Sequence, residues 1–427
     1  MSLLFKMVDW ANNSNIYEVN TRQYTKEGTF KAFAQHLRRL KNMGVEILWF
    51  MPITPISLER RQGSLGSYYA VDDYAAVNRE FGTIEDFKDL VQQAHGYGMK
   101  VIIDWVANHT GWGSAWAKQY PDWFKKDAHG NFTEANGWVD VIDLDYTNKD
   151  LREAMIAAMQ HWIVTCDIDG FRCDMAHLVP LDFWKEAREQ CDVIKPLYWL
   201  AESDEANYLQ VFDASYAWEW MQVSTELVKH QTTPERMMNV LVKYANQCSI
   251  NAEKLLFTAN HDENSWNGTE YEKYGEAAMA FAVFTATWHG IPLIYSGQEL
   301  PNRKRLRFFD KDEIEWSTIH PPALHDFYQK LLFFRKRCGV FDCKAELILL
   351  PTGAEDKVVA YICCNEDKVA LLLFNFSSAG RVRFDITHEK LNGTFRNVFS
   401  EFSFHFDNTV AFEMQPWQYF VYEKVGE

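Results

Sequence analysis

Residues 169–177 read DGFRCDMAH. Asp169 to Cys173 has the short, β-rich texture of a buried strand, and its far end carries Arg172, Asp174 and His177. An apolar strand closing on a cluster of charged side chains is the signature of an active site built on the ends of a parallel sheet. The preceding segment, Leu151 to Thr165, repeats apolar residues at three- and four-residue spacing and reads as an amphipathic helix.

Working outward, the same alternation recurs from about residue 15 to 340. Further strands are expected at Ile16 to Val19, Val45 to Phe50, Lys100 to Trp105, Tyr198 to Ala201, Val211 to Ala214, Leu255 to Ala259 and Pro292 to Ser296. Helical stretches include Ile84 to Tyr97 and Leu324 to Arg337. With the strand at Asp169 to Cys173, eight strand-and-helix units imply an α/β fold, a closed (β/α)8 TIM barrel. The barrel is assigned to residues 1–109 and 146–340. Residues 110–145, rich in Trp, Gly, Asn and Asp, are too long for an ordinary connection and form a small inserted subdomain after the third strand. Beyond Cys338 the runs AELILL, VVAYICC, VALLLFNF, RVRFDI, TFRNVF, VAFEM and YFVYE alternate with turn residues. Residues 341–427 are therefore expected to be a C-terminal antiparallel β-sandwich domain.

Composition narrows the function. The chain has 427 residues, 47% hydrophobic and 24% charged, as in ordinary globular proteins. It lacks the run of roughly 18 apolar residues that a membrane helix requires. A formal net charge of −16 disfavours nucleic acid and acidic membranes, whose binding rests on basic patches. A neutral partner is expected. The 16 Trp, 19 Tyr and 30 Phe supply flat rings that suit the apolar faces of sugars. The eight cysteines form no CxxC pair and are read as buried free thiols. The opening MSLLFKMVDW does not read as a signal peptide. A cytoplasmic protein is expected, or a secreted or periplasmic one whose signal peptide has been removed.

The strand ends hold the chemistry. The second strand leads to SYYAVDDY at 67–74, and the third ends in DWVANH with Asp104, Asn108 and His109. The fifth ends at Glu202, and the seventh in NHDEN with His261 and Asp262. Asp174, Glu202 and Asp262 then converge on one mouth, where burial and mutual repulsion push their pKa values apart. One carboxylate stays ionised and attacks while another holds its proton and gives it to the leaving oxygen, as retaining glycoside hydrolysis requires. Arg172, two residues before Asp174 on the same strand face, can keep that carboxylate ionised. His109 and His261 can donate hydrogen bonds to sugar hydroxyls.

These motifs carry a resemblance to the α-amylase family, glycoside hydrolase family 13, from about residue 14 to the end. DWVANH is similar to its DxxxNH motif, GFRCD to GFRxD, WLAES to the motif presenting a Glu, and ANHD to xNHD. The resemblance implies Asp174 as nucleophile, Glu202 as general acid/base and Asp262 as a third carboxylate binding the distorted sugar. It places Tyr68 as the ring beneath that sugar, with adjacent Tyr69 the alternative, and Asp104, His109, Arg172, His177 and His261 among the substrate-binding residues. Where many α-amylases carry Lys-His after the nucleophile, this chain has His177 and Leu178. VIDLD at 141–145 is closer to QPDLN of α-1,4-acting members than to MPKLN. No cofactor is required by the resemblance; calcium is the one metal to consider, with Asn108 as its ligand. The expected activity is hydrolysis of α-1,4 bonds in maltooligosaccharides or starch-like α-glucans. Alternatives are an α-glucan transglycosylase or isomerase, an α-1,6-oligoglucosidase, and, more remotely, a noncatalytic glucan-binding or scaffold protein.

Overall fold

Eight parallel strands close into a barrel in simple chain order. They are β1 (Ile16–Val19), β2 (Ile47–Phe50), β3 (Lys100–Trp105), β4 (Gly170–Cys173), β5 (Tyr198–Ala201), β6 (Ala214–Tyr216), β7 (Glu253–Leu256) and β8 (Ile291–Tyr295). The computed structural model describes residues 5–247, 252–316 and 321–426. β1 pairs with both β2 and β8, which closes the ring. Strand residues are buried on both faces, inward by packing across the barrel and outward by the helices, so the strands are mostly apolar, with Glu18 and Arg172 as charged exceptions.

Local chemistry sets the helix ends. Thr83 and Asp86 form a reciprocal capping box at the start of the helix Ile84–Gly96. Asn148 caps the helix Lys149–Cys166, which ends where Asp167 turns left-handed and feeds β4. Gly170 has a steric duty, because a Cβ there would lie 2.0 Å from the Tyr198 carbonyl oxygen on β5.

Two strands are displaced from their expected positions. The sixth begins at Ala214 rather than Val211, because Asp213 is engaged as a bracket: its carboxylate accepts from Trp199 N at 2.9 Å and from Arg188 at 2.8 Å. The seventh runs over Glu253–Leu256, earlier than Leu255 to Ala259, since polar residues open the strand and conceal its start.

Between β3 and β4 the chain makes its excursion, pinned by an antiparallel pair, His109–Gly111 with Val141–Asp143. The C-terminal part packs a six-stranded antiparallel sheet against the two-stranded pair Val382–Thr387 and Thr409–Met414. Its other face lies on the barrel, where Trp288 meets Tyr361 with ring centroids 4.9 Å apart and Phe284 meets Phe374 at 5.2 Å. The edge strand Ser403–Phe406 was not foreseen, as its mostly exposed residues lack an apolar run. Six of the cysteines, Cys166, Cys173, Cys191, Cys338, Cys363 and Cys364, are buried free thiols; Cys248 lies outside the described residues. Among the described residues, no helix is long and apolar enough to cross a membrane.

Candidate active site

The C-terminal ends of the strands surround a cavity of about 380 Å³ whose wall includes Asp174, Glu202 and Asp262. Behind it stands Arg172, fully buried on β4. Register places Asp104 beside Arg172 on the neighbouring strand. Nη1 of the guanidinium lies 2.9 Å from Asp104 and 2.8 Å from Asp174, while Nη2 lies 2.8 Å from Glu202. Asp174 thus accepts a hydrogen bond from Nη1, whereas Glu202 lies at ion-pair distance from Nη2 without hydrogen-bond geometry.

One buried cation cannot keep all three of these carboxylates ionised at no cost. Burial raises Asp174 to about 6 against the pull of Arg172, with Asp104 adding to the rise. Burial raises Glu202 further, to about 7, opposed by Arg172 and assisted by the negative charges of Asp174 and Asp262. Asp262 goes the other way: burial disfavours its charge, but His261 and Arg172 bring it below the usual carboxylate value. At neutral pH this leaves Asp262 and most of Asp174 ionised and a large share of Glu202 protonated.

The turn after β4 couples the two central carboxylates. Met175 has φ of +41°, a left-handed conformation that costs a non-glycine residue about 1–3 kcal/mol. In that conformation its N–H donates to Oε2 of Glu202 at 2.9 Å, and Ala176 N donates to the Glu202 carbonyl at 3.1 Å. The strained turn therefore fixes the side chain of one carboxylate relative to the other.

A second network lies on the opposite side. His261 Nδ1 is 2.5 Å from Glu18 on β1, and Nε2 is 2.7 Å from the Tyr69 hydroxyl and 3.3 Å from Asp262. Burial opposes a charge on this imidazole, but Asp262 and Glu18 hold its pKa well above the ordinary histidine value. His109 has no such partner; burial lowers it to about 3, so it is neutral.

Several expected binding residues take different places. Tyr69 lines the cavity, its ring stacked on His261 at 5.5 Å, and its hydroxyl donates to Asp104 at 3.1 Å. Tyr68 faces away: its hydroxyl donates to Asn20 at 3.0 Å and Arg22 covers its ring at 4.1 Å. The ring beside the carboxylates is therefore Tyr69; the two tyrosines are the central residues of a turn closed by Ala70 N donating to the Ser67 carbonyl at 3.2 Å. His109 reaches the wall, whereas Asp104, Arg172 and His261 stand behind it as positioning groups. His177 does not line the cavity; the short turn Ala176–Leu178 directs its Nδ1 back to the Glu202 carbonyl at 3.4 Å.

Glu18 was not singled out, although a lone carboxylate in the buried strand IYEV is the signal that could have found it. Trp138, Asp140, Trp266, Phe308 and Phe309 also belong to the wall and were not singled out, although the last two fall in the family-like stretch RLRFFDKDEIEW. Trp266 and Phe308 have centroids 5.5 Å apart and leave an aromatic rim, Trp266 being 53% exposed.

Asn108, the expected calcium ligand, is buried between β3 and the pair that opens the excursion. Its side-chain amide nitrogen lies 3.1 Å from His109 Nδ1, and its backbone carbonyl accepts from Leu144 N at 3.0 Å. Among the described residues, no group of three or more His, Cys, Asp or Glu side chains is arranged to hold a metal ion.

Comparison with known proteins agrees with this architecture. The family model described as the α-amylase catalytic domain matches residues 10–140 and 112–329. A maltogenic α-amylase from Thermotoga neapolitana superposes with a TM-score of 0.90 at 29% identity, covering 98% of this chain and 100% of that one. An α-amylase from Lactobacillus plantarum superposes with a TM-score of 0.85, also at 29% identity, over 97% and 99% of the two chains. The curated α-amylase MalA of Haloarcula japonica is 26% identical over 389 residues, 86% of this chain but 56% of that protein's length. The match of the catalytic-domain model across most of the barrel places this chain in the α-amylase family, glycoside hydrolase family 13.

Proposed function

We propose that the protein hydrolyses α-1,4-glucosidic bonds in maltooligosaccharides and related α-glucans with retention of configuration. The observation that carries the reading is the seating of Asp174 and Glu202 on one Arg172 guanidinium, with Glu202 the more readily protonated. An ionised Asp174 oxygen attacks the anomeric carbon while Glu202 gives its proton to the departing glycosidic oxygen, breaking the carbon–oxygen bond. Glu202, now ionised, takes a proton from water, whose oxygen attacks the same carbon and releases Asp174. Asp262, kept anionic by His261, accepts hydrogen bonds from sugar hydroxyls and offsets the positive charge of the oxocarbenium-like transition state. The aromatic rim offers stacking surfaces for the flat faces of glucosyl rings.

The maltogenic name of the Thermotoga relative supports short maltooligosaccharides as products. The test is the time-resolved product profile on maltohexaose, with panose and sucrose in parallel and Asp174→Asn as control. Shorter maltooligosaccharides from the wild type alone are expected. Longer products would indicate transfer, and turnover of panose in preference to maltohexaose would indicate α-1,6 action. Absence of turnover by folded protein on all three substrates would overturn the proposed activity.

A further inference from the structure

Asp262 is followed directly by a single π-helical turn, Glu263–Asn267. Such turns are rare and recur at functional sites. This one is braced on three sides. Asn260 Oδ1 accepts from Glu263 N at 2.8 Å. The buried Glu263 carboxylate accepts from Asn267 Nδ2 at 2.8 Å and from Lys273 Nζ at 2.7 Å. Asn264 ties the turn to the loop after β8: its Nδ2 donates to the Lys304 carbonyl at 3.2 Å, and its Oδ1 accepts from Leu306 N at 2.8 Å. Glu263, Asn264 and Asn267 are thus spent on holding the turn, whereas its aromatic side chain, Trp266, stays half-exposed.

An indole left in water forgoes the burial that most Trp side chains obtain. Here the ring forms part of the wall of the cavity that holds Asp174, Glu202 and Asp262. Phe308 and Phe309, on the loop that Asn264 grips, approach it with centroids at 5.5 and 5.8 Å. Both contacts are tilted, at 37° and 58°, so neither phenyl ring lies flat on the indole. Helical geometry then sets which part of a substrate the indole can meet. Asp262 and Trp266 are four residues apart, so their side chains leave one face of the turn, separated along its axis by roughly 5 Å. The indole reaches towards the Asp262 carboxylate and is the more exposed of the two. A sugar held by Asp262 therefore has Trp266 at its outer edge, where the next unit of a chain begins.

We infer that Trp266 is a specificity-determining residue whose indole face stacks on the glucosyl unit next to the one held by Asp262, with the braced π-helical turn fixing the spacing of the two contacts. The inference rests on the proposed α-glucan activity and assigns one ring of the aromatic rim to a defined unit of the substrate.

The test is calorimetric binding of maltohexaose to full-length protein in an Asp174→Asn background, where turnover is suppressed, together with steady-state kinetics of the variants without that change. Trp266→Leu keeps apolar bulk but has no flat face. It should weaken binding about fivefold to fiftyfold, the scale of an aromatic contact and its buried area. Its kinetic loss should fall mainly on KM, since the contact lies outside the reacting sugar. Trp266→Phe keeps a flat face and should bind within about threefold of the parent. Trp266→Ala replaces the leucine variant if that variant does not fold. Equal losses in the leucine and phenylalanine variants, or no loss in either, would overturn the stacking assignment. A loss confined to kcat would show that Trp266 acts on the reacting sugar through Asp262, and would overturn it as well. An Asp174→Asn protein that stays folded yet binds no maltohexaose, with Trp266 intact, would overturn the α-glucan reading itself.

Discussion

Glu18 on the first barrel strand and His261 after the seventh are joined at 2.5 Å between Oε1 and Nδ1, both side chains fully buried. The contact bridges β8, which lies between the two strands, and orients the imidazole so that Nε2 faces Tyr69 and Asp262. The raised His261 pKa means that its charge persists through neutral pH. Its stabilising contribution is full below the unfolded histidine value near 6.5 and is lost as pH rises through the elevated folded value. Glu18→Gln is expected to lower kcat/KM about tenfold or more, the scale of a lost charge-assisted hydrogen bond. The loss should be greater at pH 8 than at pH 6, as the less supported imidazolium deprotonates earlier. Initial rates across pH check this, and an unchanged profile would remove Glu18 from the positioning network.

The proposed roles require ionised Asp174 and protonated Glu202, so activity should follow a narrow bell with limbs near pH 6 and 7. Because the two groups are coupled, the limbs belong to the pair. Glu202→Gln should abolish the alkaline limb on substrates with a good leaving group and reduce turnover of maltohexaose by about 10²–10⁴. Steady-state rates on both substrate types distinguish loss of the acid from a general loss of structure.

The same shifts have a consequence for stability. Both folded values lie above the ordinary carboxylate range, so the contribution is fully present below the unfolded values near 4 and lost as pH rises through about 6 and 7. Asp174→Asn and Glu202→Gln, which remove a buried ionisable group, should therefore raise the melting temperature relative to wild type more at pH 7.5 than at pH 4.5. Thermal unfolding followed by circular dichroism at the two pH values provides the check.

The adjacent tyrosines separate binding from support. Tyr69→Phe loses the hydroxyl linking Asp104 and His261 and should lower kcat/KM roughly fivefold to tenfold. Tyr68→Phe loses only its bond to Asn20 and should cost about 1 kcal/mol of stability with a smaller kinetic effect. Measuring kinetics and urea midpoints for both variants tests the assignment; a larger kinetic loss at Tyr68 would reverse it.

Gly170 reports on the barrel itself. In Gly170→Ala the new methyl would meet the Tyr198 carbonyl at 2.0 Å, and neighbouring paired strands cannot separate without losing ladder bonds. A destabilisation of about 3 kcal/mol or more is expected, in the range reserved for severe overpacking and backbone strain. Equilibrium denaturation measures it directly.

The barrel and its charged strand ends were legible in the chain because both are local signals. Apolar runs alternate with helical periodicity, and Arg172, Asp174, Glu202 and Asp262 follow strand-like segments at fixed short distances. The choice between Tyr68 and Tyr69 was not local, since direction in an irregular loop depends on what packs behind it, here Asn20 and Arg22. Glu18 stood out only as a carboxylate in a buried strand, whose partner His261 lies far off in sequence, and Asp140 is carried to the wall by contacts between two loops distant in sequence. Sequence by itself determined which residue types reach the barrel mouth. Tertiary structure alone decided which of them face the cavity and how far the pKa values of the three carboxylates are set apart, because both depend on burial and on distance to the Arg172 and His261 charges.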